Sequence, residues 1–233
     1  MYTMETIRAR HSVRKYTDKP IEGEALAGLQ ALIDEARAAT GLDIQLVRDN
    51  PEVFDIVASF GVISGCGASI VFPANGREDD DAIGYWGQHI VLGAQDLGLN
   101  TCWAMLCARK NSKARVPQGQ KIRLVIAVGY GVNGGYVRKT KPLEELCAFE
   151  GEGEMPAWFA AAMEAAQLAP TGMNAQSFRL TLLADGKTVR AEAQKRALRV
   201  IDLGIVRRNF EVAANELGAD WRWETAAEAP VSR

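Results

Sequence analysis

Two stretches of this chain, 120 positions apart, align over twenty residues without a gap. The first, GYWGQHIVLGAQDLGLNTCW, runs from Gly84 to Trp103; the second, GIVRRNFEVAANELGADWRW, runs from Gly204 to Trp223. Glycine, alanine, leucine, glycine and tryptophan coincide at 84/204, 94/214, 97/217, 98/218 and 103/223, and Gln95/Asn215 and Asp96/Glu216 are conservative exchanges. One such match could be chance, because Ala, Leu and Gly are common near helix ends. A second element repeats in the same order, however. Thr40-Gly-Leu-Asp-Ile-Gln45 shares Thr, Gly and Gln in register with Thr171-Gly-Met-Asn-Ala-Gln176. An internal duplication accounts for both matches. It predicts two diverged halves, residues 1–149 and a shorter 155–233, joined by the polar, glycine-rich linker Glu150-Gly-Glu-Gly-Glu154. The period is far too long for a solenoid, so the halves are expected to pair about a pseudo-twofold axis.

Each half mixes helices with strands, which predicts an α+β class. Helices are expected over Met4–Arg10, Glu22–Ala39, Pro51–Ala58, Gly84–Leu97, Ala157–Leu168 and Leu203–Leu217, several of them stopped by glycine. Strands are expected over Asp43–Arg48, Ala68–Phe72, Lys121–Gly129 and Phe178–Leu183. Between the helices at 4 and 22, SVRKYTDKPI reads as an extended connection. The acidic run in Asn75–Asp81, NGREDDD, reads as a solvated loop or as charge bias for the next helix.

Bulk properties exclude several function classes. A net charge of −2 offers no basic excess for nucleic acid or an anionic membrane, though a small pocket for one phosphate remains open. The longest apolar run, near Leu124–Tyr130, is too short to span a bilayer, and the polar N-terminus lacks a signal-peptide core. A cytoplasmic location is expected. Cysteines at 66, 102, 107 and 147 form no CxxC pair, and His11 and His89 are the only histidines. Buried reduced thiols are expected, and no metal site.

Three clusters could carry chemistry. Arg10-His-Ser-Val-Arg14 brings two guanidiniums and a hydroxyl within five residues, which suits a phosphate. A solvated basic stretch is the commoner outcome for such a cluster. Pro170-Thr-Gly-Met-Asn-Ala-Gln176 is almost uncharged. Proline fixes φ, Gly172 allows close approach, and Asn174 and Gln176 each offer donor and acceptor. The loop suits the edge of a planar heterocycle, although from spacing alone a helix-terminating turn is the slightly better account. Arg138-Lys-Thr-Lys141 is a surface charge run by itself and completes an anion site if it lies beside Arg10 and Arg14.

In combination these motifs resemble the nitroreductase family of FMN-dependent oxidoreductases. RHSVRKYTDKPI is similar to the family's N-terminal signature, and APTGMNAQSF to its loop, commonly A-P-S-x-x-N-x-Q-P-W. HIVLGAQDLGLNTCW resembles the central helix, and IAVGYG with RKTKPLEEL resembles the closing strand and basic tail. The resemblance implies a nitroreductase-like fold with mixed, mainly antiparallel sheets flanked by helices. Ordinary members are homodimers with FMN at the subunit interface, and their loop follows the first long helix. Here that place holds only TGLDIQ, and the fuller loop lies in the second half. This is similar to a subgroup in which two half-sized copies in one chain mimic the dimer, so a monomer is expected, with further dimerisation possible.

The resemblance also implies residue roles. Arg10, Ser12 and Arg14, with the His11 backbone, would hold the FMN phosphate and ribityl chain. Lys139 and Lys141 would reach the phosphate or the N1–C2 end of the ring. Pro170, Thr171, Gly172, Asn174 and Gln176 would border the flavin from the other half. Ser177 and Phe178 stand where Pro and Trp are usual. Because MPAWFAAAMEAAQLA holds no arginine, one composite FMN site per chain is expected, not two. The implied activity is transfer of hydride or electrons from NAD(P)H to a small organic acceptor such as a nitroaromatic or quinone, with no catalytic acid or base demanded. Reductive dehalogenation, activated-alkene reduction and flavin binding without turnover are the alternatives.

Overall fold

The computed structural model describes residues 2–54, 62–104, 112–193 and 199–225. It begins with a short capped helix, α1 (Met4–Ala9), whose Thr3 side chain accepts the Glu5 N–H. The longer α2 (Gly23–Thr40) buries Leu29, Ile33 and Ala36 along one face, the spacing of a core-facing helix, and stops at Gly41 with φ 71°. Strands β1 (Gln45–Val47), β2 (Ala68–Ala74), β3 (Asn100–Trp103) and β4 (Lys121–Gly129) form a wholly antiparallel sheet in the order β1-β2-β4-β3. Its centre is the apolar run of β4, which places Ile126 opposite Ile70 and Ala127 opposite Cys102.

Beyond β4, a single-turn helix, α4 (Leu143–Leu146), leads into β5 (Cys147–Phe149); the labels α3 and α5 belong to helices Asp80–Asp96 and Ala157–Gln167. β5 does not join the first sheet. It pairs in parallel with β6 (Phe178–Leu182), which pairs antiparallel with β7 (Thr188–Ala193), and β7 pairs in parallel with β8 (Arg222–Trp223). The chain thus crosses to its second sheet just before the glycine-rich stretch at 150–154. The last helix, α6 (Arg199–Glu216), packs lengthwise on α3 and α5. One core gathers Ile33, Ile70, Phe72 and Ile126; another gathers Phe159, Phe178 and Phe210 and takes in Ile7 from α1 and Leu92 from α3. α3 is buried nearly all round, as a helix between two cores must be.

The helices α3 and α6 share a detail. Gln88 donates to Asn209 at 2.8 Å, and Arg208 lies 2.9 Å from His89 Nδ1. With a displacement of 120, positions 88 and 208 correspond, as do 89 and 209, so the two bonds are reciprocal. The helix ends match too. Gly98 and Gly218 have φ of 74° and 64°, and the Leu99 and Ala219 N–H groups reach back to Ala94 O and Ala214 O.

Some expectations met a different structure. Of the two readings of NGREDDD, charge bias for the next helix holds: Asp80 and Asp81 lie in the first turn of α3, and only Asn75 and Gly76 stand outside helical turns. Arg77–Asp79 form a 3-10 turn, and Asp80 opens α3 as a buried carboxylate gripped by Arg123 through two 2.6 Å bonds. The helix expected over 51–58 is a 3-10 turn at Pro51–Phe54, its remainder lying outside the described residues, as does Cys107. Strands β3, β5, β7 and β8 were not anticipated: two to four residues in β3, β5 and β8 are too few to show a period, and in the six-residue β7 (TVRAEA) only Val and two alanines mark the apolar face. Cys66, Cys102 and Cys147 are buried thiols.

Candidate functional site

The basic N-terminal segment is pinned as an extended strip along the first sheet. Val13 N–H donates to Thr101 O at 3.0 Å, Tyr16 N–H to Ser64 O and Thr17 N–H to Tyr130 O. This backbone pairing turns Arg10, Ser12 and Arg14 to one side. The glycine turn after β4 closes over the strip. Gly135, at φ 83°, comes so near that a Cβ there would stand 2.8 Å from the His11 Cβ.

Arg10 is the strongest electrostatic feature of the segment. Its guanidinium is buried, its Nε has no hydrogen-bond partner among the described residues, and Nη2 reaches only Leu168 O at 3.4 Å. Burial pulls its pKa down to about 10, with Arg138 pushing the same way. A buried cation without a carboxylate is costly, so the position calls for an anion. His11 is likewise held below its usual value by partial burial and by Arg10.

The 170–176 loop reaches the same place, Arg10 Nη2 lying 3.4 Å from Leu168 O just before it. Met173, Asn174 and Gln176 all take positive φ (55°, 55° and 42°), a conformation that costs a non-glycine residue about 1–2 kcal/mol each. Hydrogen bonds hold it. Gln176 N–H donates to Thr171 Oγ1 at 3.0 Å, and the Asp202 carboxylate accepts the Gly172 N–H with both oxygens. The Asn174 and Gln176 amides are spent on protein. Asn174 donates to Lys139 O at 2.9 Å, while Gln176 accepts the Lys141 N–H and donates to Gln167 O. Lys141 Nζ in turn donates to Gln176 O at 3.1 Å. The basic tail and the loop are therefore one hydrogen-bonded unit.

Strip, tail and loop enclose a cavity of about 610 Å³. Arg10, His11, Ser12, Arg14, Pro170, Thr171, Gly172 and Asn174 all line it. Lys139, Lys141 and Gln176 do not; Arg138 and Thr140 present the tail to the cavity instead, and Gln176 is buried behind the loop. One wall is apolar, from Trp103, Leu124, Ile201 and Ile205. The mouth carries Tyr136, Val137 and Met173, all strongly exposed. The cavity fits a flat, partly apolar molecule with an anionic end.

A family model described as "Putative TM nitroreductase" matches residues 2–214. The chain belongs to this nitroreductase family. Among solved structures, a "putative nitroreductase" of Thermotoga maritima is 21% identical, with a TM-score of 0.65, covering 93% of this chain and 85% of that one. That likeness shows a nitroreductase-like α+β fold. A "putative nitroreductase in complex with FMN" of Desulfovibrio desulfuricans is 24% identical at a TM-score of 0.49, over 61% of this chain and 92% of that one. A "nitroreductase with bound FMN" of Bacteroides fragilis is 17% identical at a TM-score of 0.46, over 60% and 93%. No curated protein matches. Among the described residues no helix is long and apolar enough to cross a membrane, and no His, Cys, Asp and Glu cluster could hold a metal ion.

Sequence reasoning missed Asp202, Ile201 and Ile205, which reach the cavity from the first turns of α6. Nothing in RVIDLG marks them, since only the packing of α6 on α3 and α5 brings them there. Trp103 was legible only as a repeat position.

Proposed function

We propose that this nitroreductase-family chain is an FMN-dependent oxidoreductase that holds one flavin between two related halves, 1–149 and 155–233. It takes reducing equivalents from NAD(P)H and passes them to a small organic acceptor such as a nitroaromatic or quinone. The observation that carries the reading is the buried, anion-seeking Arg10 in the lining of a cavity that the 170–174 loop also lines. The reciprocal contacts of α3 and α6 support the duplication.

In this reading Arg10, Arg14 and the Ser12 hydroxyl take the phosphate, with Arg138 adding positive charge. Pro170, Thr171 and Gly172 border the ring edge, and the apolar wall excludes water from its face. Bound FMN supplies reversible two-electron chemistry. The chain orients the donor and the acceptor in turn within one mouth, where Tyr136, Val137 and Met173 offer apolar surface to both.

The experiment is to load the protein with FMN and add NADPH or NADH without oxygen. Bleaching of the flavin, and ping-pong steady-state kinetics with a nitroaromatic or quinone, are expected. A ternary-complex pattern contradicts the shared mouth, and a loaded protein that neither nucleotide bleaches contradicts the enzyme reading.

A further inference from the structure

The charges around the cavity are unequal. Arg8, Arg10, Arg14 and Arg138 line it, whereas Asp202 is the one carboxylate doing so among the described residues. Asp202 is only 5% exposed and sits in the first turn of α6, where a carboxylate is favoured by the helix dipole. It grips the loop at Gly172 N–H, 3.0 and 3.1 Å from its two oxygens. Arg10 meets the same loop four residues earlier, at Leu168 O. The loop is therefore held near one end by the cavity's buried cation and near its middle by its carboxylate.

Resting on the flavin reading above, we infer that Asp202 sets the redox balance of the site: its carboxylate disfavours the reduced, negatively charged flavin relative to the oxidised one. Hydride from NAD(P)H, which leaves as NAD(P)⁺, brings two electrons and one proton to an uncharged ring, so the ring gains one negative charge. A cavity of about 610 Å³ is on the order of 10 Å across. At that separation and an effective dielectric near 20, one unit charge changes the oxidised-to-reduced affinity ratio by about tenfold. Asp202 opposes the surrounding arginines, which favour reduction. It is a positioning residue for the loop as well, and the two effects separate by substitution.

The test is the midpoint potential of bound FMN, by anaerobic dye equilibration, in the wild type and in Asp202→Asn, Asp202→Ser and Asp202→Glu. Asn keeps an acceptor for Gly172 N–H but loses the charge, and Ser supplies a second neutral variant in case one fails to fold. About tenfold stronger relative binding of reduced FMN is expected in both, or ~30 mV upward for a two-electron couple, while Glu keeps the wild-type potential. Neutral variants at the wild-type potential overturn the inference, even if they hold FMN more weakly, because that pattern belongs to a loop tether alone. A Glu variant shifted as far as Asn overturns it too. A wild type that takes up no FMN overturns the flavin reading and this inference together, whereas a loaded wild type with unmoved variants overturns this inference alone.

Discussion

Gly84 and Gly204 meet backbone to backbone where α3 packs on α6. A Cβ on Gly84 would stand 2.1 Å from Ile201 O and 3.1 Å from Gly204 Cα; one on Gly204 would stand 2.5 Å from Asp81 O and 3.0 Å from Gly84 Cα. Ile201 is position 81 displaced by 120, so the same contact is made twice, as in an isologous interface. The obstacles are backbone atoms and cannot rotate away. Gly84→Ala and Gly204→Ala are each expected to destabilise the protein by about 1–2 kcal/mol, overpacking outweighing alanine's better helix propensity. Urea unfolding measures this, and unchanged midpoints in both variants would contradict the close crossing.

Asp80 depends on Arg123 in a similar all-or-none way. The carboxylate is 1% exposed and takes both arms of the guanidinium. Removing one partner of such a pair leaves a buried charge poorly matched. Arg123→Ala is expected to cost about 3 kcal/mol in unfolding free energy. A cost below about 1 kcal/mol would mean that the pair contributes no more than a surface bridge.

His89 makes stability depend on pH. Burial and Arg208 hold its pKa at about 4, and Nε2 lies 3.1 Å from the Glu35 carboxylate. Nδ1 faces the Tyr2 hydroxyl and an Arg208 N–H, so it acts as an acceptor and the ring is neutral. The unfolded chain binds the proton near the ordinary histidine value of 6.5, above the folded value. Stability from this residue is therefore complete above about 6.5 and is lost as pH falls from there towards about 4. His89→Gln removes the titration. Its unfolding free energy should vary less with pH in that window than the wild type's, and parallel curves would refute the assignment.

The phosphate end can be tested without turnover. Replacing Arg10 or Arg14 by alanine removes charge-assisted donors, so FMN affinity is expected to fall about 10- to 100-fold for each. The far-ultraviolet circular dichroism should stay that of the wild type. Retained stoichiometric flavin in the double variant would refute the phosphate assignment.

Much of this arrangement was legible in the sequence because periodicity and punctuation agree there. Leu29, Ile33 and Ala36 mark one helix face, IRLVIAVG marks a central strand, and Gly41, Gly98 and Gly218 mark stops. The RHSVR strip and the PTGMNAQ loop were found as motifs, and the fold brings both to one cavity. The direction of individual side chains was not legible. Positive φ at Asn174 and Gln176 turns their amides towards the backbone of residues 139–141 and 167, and periodicity carries no sign of that. Asp80 reads as one more surface acid until β4 places Arg123 beside it. Asp202 has no local signal at all, because its role comes from the packing of α6 against the 170–176 loop.

Flavin stoichiometry tests the central claim most directly, since cofactor and duplication must both hold for it to come out right. Purified protein saturated with FMN, freed of excess and denatured, releases a countable amount of flavin per chain. The account predicts one. Two would mean that the first half keeps a working site around TGLDIQ, and none would contradict the flavin reading of the cavity.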